Sequence, residues 1–177
     1  MKRQVDLTAY SEETINTFKN CGCLLVAGNP NKANVMTIGW GLIGRLWEKP
    51  FFMVAVRPSR YTYGFIEEAG DFTLNVPKKG MEETLEYCGT VSGRNHNKFK
   101  EKGLTLKSAR KVKSPIISEC IVHYECRTSY KSRVSPTLPK NIMDECYPTG
   151  DYHTIYFGEI LDTYAEDDAE NNFPISI

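Results

Sequence analysis

Phe51-Phe52-Met53-Val54-Ala55-Val56-Arg57-Pro58-Ser59-Arg60-Tyr61-Thr62 is the stretch from which the fold is read. Its first six residues are the longest unbroken apolar run in the chain, the length of a strand buried on both faces. That run is far too short to span a bilayer. Pro58 turns the chain, Ser59 suits an N-cap and Thr62 the N3 position of a helix running to about Ala69. Gly70 follows where such a helix ends. A helix that starts directly after a buried strand presents unpaired backbone N–H groups. With the hydroxyls of Ser59 and Thr62 and the Arg60 guanidinium, these make an anion cradle. A phosphate monoester, with about −1.5 to −2 charges at pH 7, suits those donors. The plainer alternative is that Ser59 only caps the helix and Arg60 is solvated.

On either side of this stretch the pattern is mostly strand. Ser11 to Asn20 reads as a short helix with Ser11 as its cap and Ile15 and Phe18 on one face. Cys23 to Ala27 reads as a buried strand, Gly28-Asn29-Pro30-Asn31 as a turn, and Asn34 to Trp40 as the second strand of a hairpin. Gly39, Gly41 and Gly44 then loosen the chain. Phe72 to Val76 alternates like a strand and stops at Pro77; Glu82 to Cys88 reads as helix. Ile116 to Arg127 and Tyr152 to Leu161 are two long late strands. Thr128 to Gly150, with Pro136, Pro139 and Pro148, reads as a long loop: a lid, a dimer arm or a mobile surface segment. Interspersed helices suggest a parallel sheet, but the early hairpin and late strands argue for an antiparallel barrel decorated with helices. No GxGxxG or phosphate-loop motif occurs, so nucleotide-binding parallel folds lack their key residues.

Composition sets the class. The 177 residues make one domain, with 41% hydrophobic and 25% charged residues. Twenty-two basic and 22 acidic residues cancel, which argues against a nucleic-acid binder. No apolar leader or membrane span is present in the sequence, so a cytoplasmic protein is expected. The six cysteines then read as free thiols rather than disulfides. Cys21-Gly22-Cys23 lacks zinc-knuckle spacing, and His96, His123 and His153 are scattered, so no metal site is expected.

In the strand Asn34-Val35-Met36-Thr37-Ile38-Gly39-Trp40, alternation puts Asn34, Met36, Ile38 and Trp40 on one face. Asn34 and Trp40 would stand about 20 Å apart on a straight strand, able to touch opposite ends of an elongated ligand. Trp40 suits a planar heterocycle, the alternative being a core position.

Taken in order, several short motifs carry a resemblance. They are Asn34-x-Met36-Thr37-x-x-Trp40, Arg57-Pro58-Ser59-Arg60-Tyr61-Thr62 after an apolar strand, Phe72-x-x-Asn75-Val76-Pro77, Ser92-Gly93 and Lys98-Phe99. Glu125-Cys126, Gly150-Asp151-Tyr152-His153 and Phe157-Gly158-Glu159-Ile160 complete the series. From about residue 10 to 165 the chain resembles the flavin reductase-like, FMN-binding split-barrel family, most closely its flavoredoxin-type branch. The resemblance implies a mainly β, six-stranded antiparallel split barrel with short helices, taken as one domain over residues 1–177; the long 128–150 loop is an insertion that departs from the family's short connection there. It implies a homodimer with non-covalent FMN near the interface. Asn34 and Trp40 match flavin-contacting positions, with Met36, Thr37 and Ile38 along the ring. Ser59, Arg60 and Thr62 match the phosphate and ribityl region, and Lys98 a second phosphate-side cation. Asn75 and Ser92 match pocket-lining positions. His153 matches a histidine linked to activity, although here Tyr152 separates it from Asp151.

The implied activity passes electrons from NADH or NADPH through FMN to a free flavin or another acceptor. The alternatives are an FMN carrier working between redox partner proteins and, behind both, a non-redox barrel for another small ligand. Neither nucleic acid nor membrane is expected as a partner.

Overall fold

The computed structural model describes residues 2–174. β1 (Lys2–Gln4) and helix α1 (Ser11–Asn20) lead into β2 (Cys23–Asn29), β3 (Lys32–Ile38), β4 (Gly41–Leu46) and β5 (Lys49–Val56). Then follow α2 (Tyr61–Ala69), β6 (Asp71–Val76), α3 (Glu82–Thr90), α4 (Lys98–Glu101), β7 (Leu106–Lys107) and β8 (Ile116–Ile117). β9 (Val122–Arg133), α5 (Lys140–Cys146), β10 (Thr154–Glu166) and a 3-10 turn at Ala169–Asn171 close the chain.

All pairings are antiparallel. Seven strands run β3-β2-β6-β9-β10-β5-β4, and β1 adds to β10. The expected six strands are therefore eight, because β1 and β4 also join. The path ends at β3 and β4 without the two pairing, so the curled sheet stays open as a split barrel. β9 and β10, the two longest strands, pair along Thr154–Ala165 and shift register between Phe157 and Gly158 and between Ile160 and Asp162. Such bulges increase local twist and let a long ribbon curl.

Curling gives the sheet an inner face and an outer one. Phe52, Val54, Phe72, Leu74, Tyr124 and Ile160 fill the inside with α2 residues Phe65 and Ile66. Leu24, Val26 and Val35 face outward and are covered by Leu85 and Cys88 of α3. The alternation expected for β3 is present: Val35 joins the outer cluster, while Ile38 and Met36 meet the inner one.

Local expectations fared unevenly. Gly70 ends α2 in the left-handed region, with φ 70°. Ser11 does not cap α1; Tyr10 holds that place at φ 64°, and Ser11 Oγ donates to the Thr8 carbonyl at 2.5 Å. The glycines at 39–44 do not loosen the chain. They open β4, where a Cβ on Gly41 would stand 3.0 Å from the Met53 carbonyl oxygen and 3.0 Å from Phe18 Cζ. Trp47 and Glu48 join β4 to β5 with both φ values positive, 49° and 60°, as a tight hairpin turn requires. The segment 128–150 is not a long loop: β9 runs on to Arg133 because β10 pairs with it there, and α5 occupies Lys140–Cys146.

Candidate functional site

Three elements meet beside the open edge of the sheet. β3 supplies one wall, the β5–α2 turn the second, and the segment between α3 and α4 the third. A cavity of about 120 Å³ lies among Asn34, Met36, Arg60, Thr62, Ser92 and Lys98. A second, of about 200 Å³, lies among Met36, Thr37, Ile38, Trp40, Arg60 and His153. Met36 and Arg60 belong to both, so the two form one trough along the edge of β3.

The sequence places its candidates unevenly along this trough. Asn34, Met36, Arg60, Thr62, Ser92 and Lys98 share the first cavity, and Thr37, Ile38, Trp40 and His153 the second. Trp40 is 46% exposed, so it is not core. Its carbonyl is tied to β5 by the Ala55 N–H at 3.3 Å. Thr37 turns its hydroxyl away and donates to the Leu85 carbonyl at 2.6 Å, fixing β3 to α3.

Two candidates need correction. Asn75 lines neither cavity. Its amide donates to the Leu24 carbonyl at 3.2 Å, while its oxygen accepts from Ile117 N–H at 3.0 Å and meets His123 Nδ1 at 2.8 Å. It is a buried bracket between β2, β8 and β9, because strand alternation on β6 turns it outward. Ser59 reaches the first cavity but is not the α2 cap, which is Arg60. The Asp151 carboxylate accepts from Ser59 Oγ at 2.5 Å and from its N–H at 3.3 Å. The protein's own anion therefore takes two of the donors expected for a phosphate. Thr62, at N2 rather than N3, accepts from Asn34 Nδ2 at 2.7 Å and locks that side chain against the helix start.

Lys98 carries the electrostatics. The residue is 3% exposed, and its ammonium donates to one neutral group, the Cys88 carbonyl, at 2.9 Å. Among the described residues it has no carboxylate partner. Burial pushes its pKa down, and the nearby Arg60 charge acts in the same direction. A buried ammonium keeps its charge only at a cost unless an anion joins it. With three donors and one used, it fits a phosphate.

Several residues here were missed as site residues. Arg94 donates to the Ser59 carbonyl at 3.1 Å and lies 5.2 Å over the Tyr61 ring. Arg57 donates to the carbonyls of Cys146 at 2.7 Å and Asp151 at 3.1 Å, pinning the end of α5 beside the trough. The signal for Arg94 was its position in the run Ser92-Gly93-Arg94, beside two residues already singled out. Gly93 itself is a contact position: a Cβ there would fall 1.9 Å from Asn34 Oδ1 and 3.1 Å from Tyr61 Cδ1. Gly93→Ala is expected to expel Asn34 from its bond to Thr62 and to cost about 1–3 kcal/mol. Thermal unfolding measures that cost; an unchanged melting temperature would show that the 92–94 segment yields freely.

At the other end, His153 lies 4.7 Å from the Trp40 ring, and its Nδ1 is 2.8 Å from the Tyr147 hydroxyl. Burial, followed by the Arg57 charge, pushes its pKa down to about 4. The imidazole is therefore neutral at neutral pH and offers one donor and one acceptor. The unfolded chain binds this proton near pH 6.5 and the folded one near 4. Stability is thus full above about pH 6.5 and falls as pH drops toward 4. His153→Gln is expected to flatten that part of the stability profile, and an NMR titration should place the His153 midpoint near 4.

Against known proteins the chain finds relatives over most of its length. An uncharacterised protein of Archaeoglobus fulgidus is 35% identical over 137 residues, covering 77% of this chain and 68% of the relative. The crystal structure of flavoredoxin from Methanosarcina acetivorans is 30% identical with a TM-score of 0.65, covering 82% of this chain and 68% of that one. Flavoredoxin of Desulfovibrio vulgaris (Miyazaki F) shares the fold at a TM-score of 0.67 and 24% identity, over 86% of this chain and 74% of that one. Residues 17–175 match the family model described as flavin reductase like domain. The open barrel is thus that of a flavin reductase-like protein, and the chain belongs to that family.

Proposed function

We propose that this chain binds FMN non-covalently in the trough and acts as an oxidoreductase, taking electrons from NADH or NADPH and passing them to a flavin or another small acceptor. The observation that carries the reading is the buried, unpaired Lys98 ammonium at one end of a trough whose other end is a half-exposed Trp40. The proteins similar to this one include flavoredoxins, which supports a flavin as the ligand.

Lys98, Arg60 and Arg94 would meet the phosphate. The open edge of β3, Met36 to Ile38, would run along the ring, with Trp40 beside it. When bound, FMN supplies hydride and one-electron chemistry. The chain supplies placement and field. Arg60, shared by both cavities, favours negative charge between them. His153, neutral and held by Tyr147, offers a hydrogen bond at the ring end without adding charge. Where burial keeps water away, as at Lys98, such interactions are strengthened.

Purified protein should be yellow, or turn yellow on adding FMN. Anaerobic NADH or NADPH should then bleach it promptly. A chain that takes up no flavin defeats the reading. Bleaching by dithionite but by neither nicotinamide would leave an electron carrier.

We also propose that two copies associate through the β4 edge. Trp40, Leu42, Trp47 and Tyr130 are between 46% and 60% exposed there. Beside them an apolar hollow of about 460 Å³ lies between Trp40, Leu42, Met53 and Ile155. Light scattering should give twice the 20.1 kDa chain mass.

A further inference from the structure

Between Thr128 and Gly150 a single side chain is buried, that of Tyr147. Helix α5 itself buries none. Tyr147 lies just past the end of that helix at 6% exposure. Arg57 holds it there. One guanidinium donates to the carbonyls of Cys146 and Asp151, which bracket Tyr147 in the chain, and lies 5.1 Å over the Tyr147 ring. The Tyr152 ring packs 5.1 Å away, and the His153 ring meets Tyr147 edge-on at 5.5 Å.

The Tyr147 hydroxyl and His153 Nδ1 stand 2.8 Å apart in the interior. Burial pushes the Tyr147 pKa up, so the phenol keeps its proton. Among the described residues Nδ1 is the acceptor that this hydroxyl has, and a buried hydroxyl left without one is costly. The O–H therefore donates to Nδ1, and the neutral imidazole carries its proton on Nε2. Among the described residues His153 makes no other side-chain hydrogen bond. It lines the ring-end cavity with Ile38, Trp40 and Arg60.

We propose that Tyr147 is a positioning residue for the trough: it fixes the His153 proton on Nε2, so that the flat end of a ligand meets a hydrogen-bond donor and must offer a carbonyl or a bare ring nitrogen in return. The tautomer stands on this chain's own geometry. Its use by a ligand rests on the FMN reading, since the flavin ring carries such acceptors. Arg57, Arg60, Asp151 and the Tyr147 hydroxyl are the charged and titratable groups that face this imidazole. Burial and the two guanidiniums oppose a second ring proton, and the carboxylate favours it.

Nitrogen NMR of flavin-free protein with isotope-labelled histidine reads the tautomer at neutral pH, with His153→Gln identifying the signal. The unaltered chain should show Nε2 protonated and Nδ1 bare. Tyr147→Phe keeps the ring that Arg57 and Tyr152 contact, and thermal unfolding shows that it has folded. In that variant both tautomers should appear. The His153 midpoint should rise from about 4, because a hydroxyl donating to Nδ1 favours the neutral ring. A proton on Nδ1 in the unaltered chain, or a midpoint that stays or falls in Tyr147→Phe, would overturn the inference. FMN and riboflavin should both bind Tyr147→Phe about two- to tenfold more weakly. Full affinity for both would overturn the ligand's use of this proton. If no flavin binds the unaltered chain while Nε2 carries the proton, the FMN reading fails and the hold of Tyr147 on His153 stands.

Discussion

Lys98→Met should lower FMN affinity by about ten- to a hundredfold while leaving riboflavin affinity within about twofold. A charge-assisted hydrogen bond contributes about 1.5–3 kcal/mol, and each 1.4 kcal/mol is a factor of ten. Riboflavin lacks the phosphate and so lacks the partner. The same substitution should stabilise the flavin-free chain. Methionine has similar bulk and removes a buried ammonium that, among the described residues, bonds only the Cys88 carbonyl. A rise of a few degrees in melting temperature is expected, at about 2–4 °C per kcal/mol for a chain of this size. The pH dependence has a definite sign. The folded-state pKa of Lys98 lies below 10.5. Its cost is therefore full at neutral pH and fades as pH climbs through the lowered value. Flavin-free protein should gain stability on that climb, and Lys98→Met should lack the gain. Equal losses of FMN and riboflavin would remove Lys98 from the phosphate.

Gly158→Ala should be strongly destabilising. Gly158 stands where β10 shifts register against β9. A Cβ there would lie 2.6 Å from Phe72 Cζ and 2.8 Å from Cys126 Cβ. Phe72 and Cys126 are wholly buried and paired across β6 and β9, so neither can swing into solvent. Overpacking costs about 1–3 kcal/mol, and here the upper end is expected because Cys126 Cβ is fixed to its strand. Thermal unfolding should show a loss of about 6–12 °C. No change would mean that the β9–β10 ribbon flexes at its bulge.

Much of this was legible in the chain. The Phe51–Val56 run, the Gly70 stop and the alternation of β3 announce themselves through local spacing, and the structure keeps all three. Asn34, Trp40, Arg60 and Lys98 also meet along one trough as read. What escaped depends on partners distant in sequence. Ser59 looked like a free donor, but its partner Asp151 is 92 residues away. Asn75 looked like a pocket residue, but it is held by Ile117 and His123, which local spacing cannot place beside it. β4 was hidden because its glycines resemble a linker, although Gly41 is small to admit Phe18 and Met53. The proline-rich segment before β10 concealed the continuation of β9, whose register is set by β10 rather than by its own residues.

The hold of Asp151 on Ser59 also gives the trough a heading. At that corner a resident carboxylate already satisfies the turn, so an incoming anion would meet repulsion there and attraction at Lys98, Arg60 and Arg94. A molecule charged at one tip and flat at the other thus has a single acceptable way to lie down. Its compass bearing is settled by long-range attraction before its flat end reaches the tryptophan.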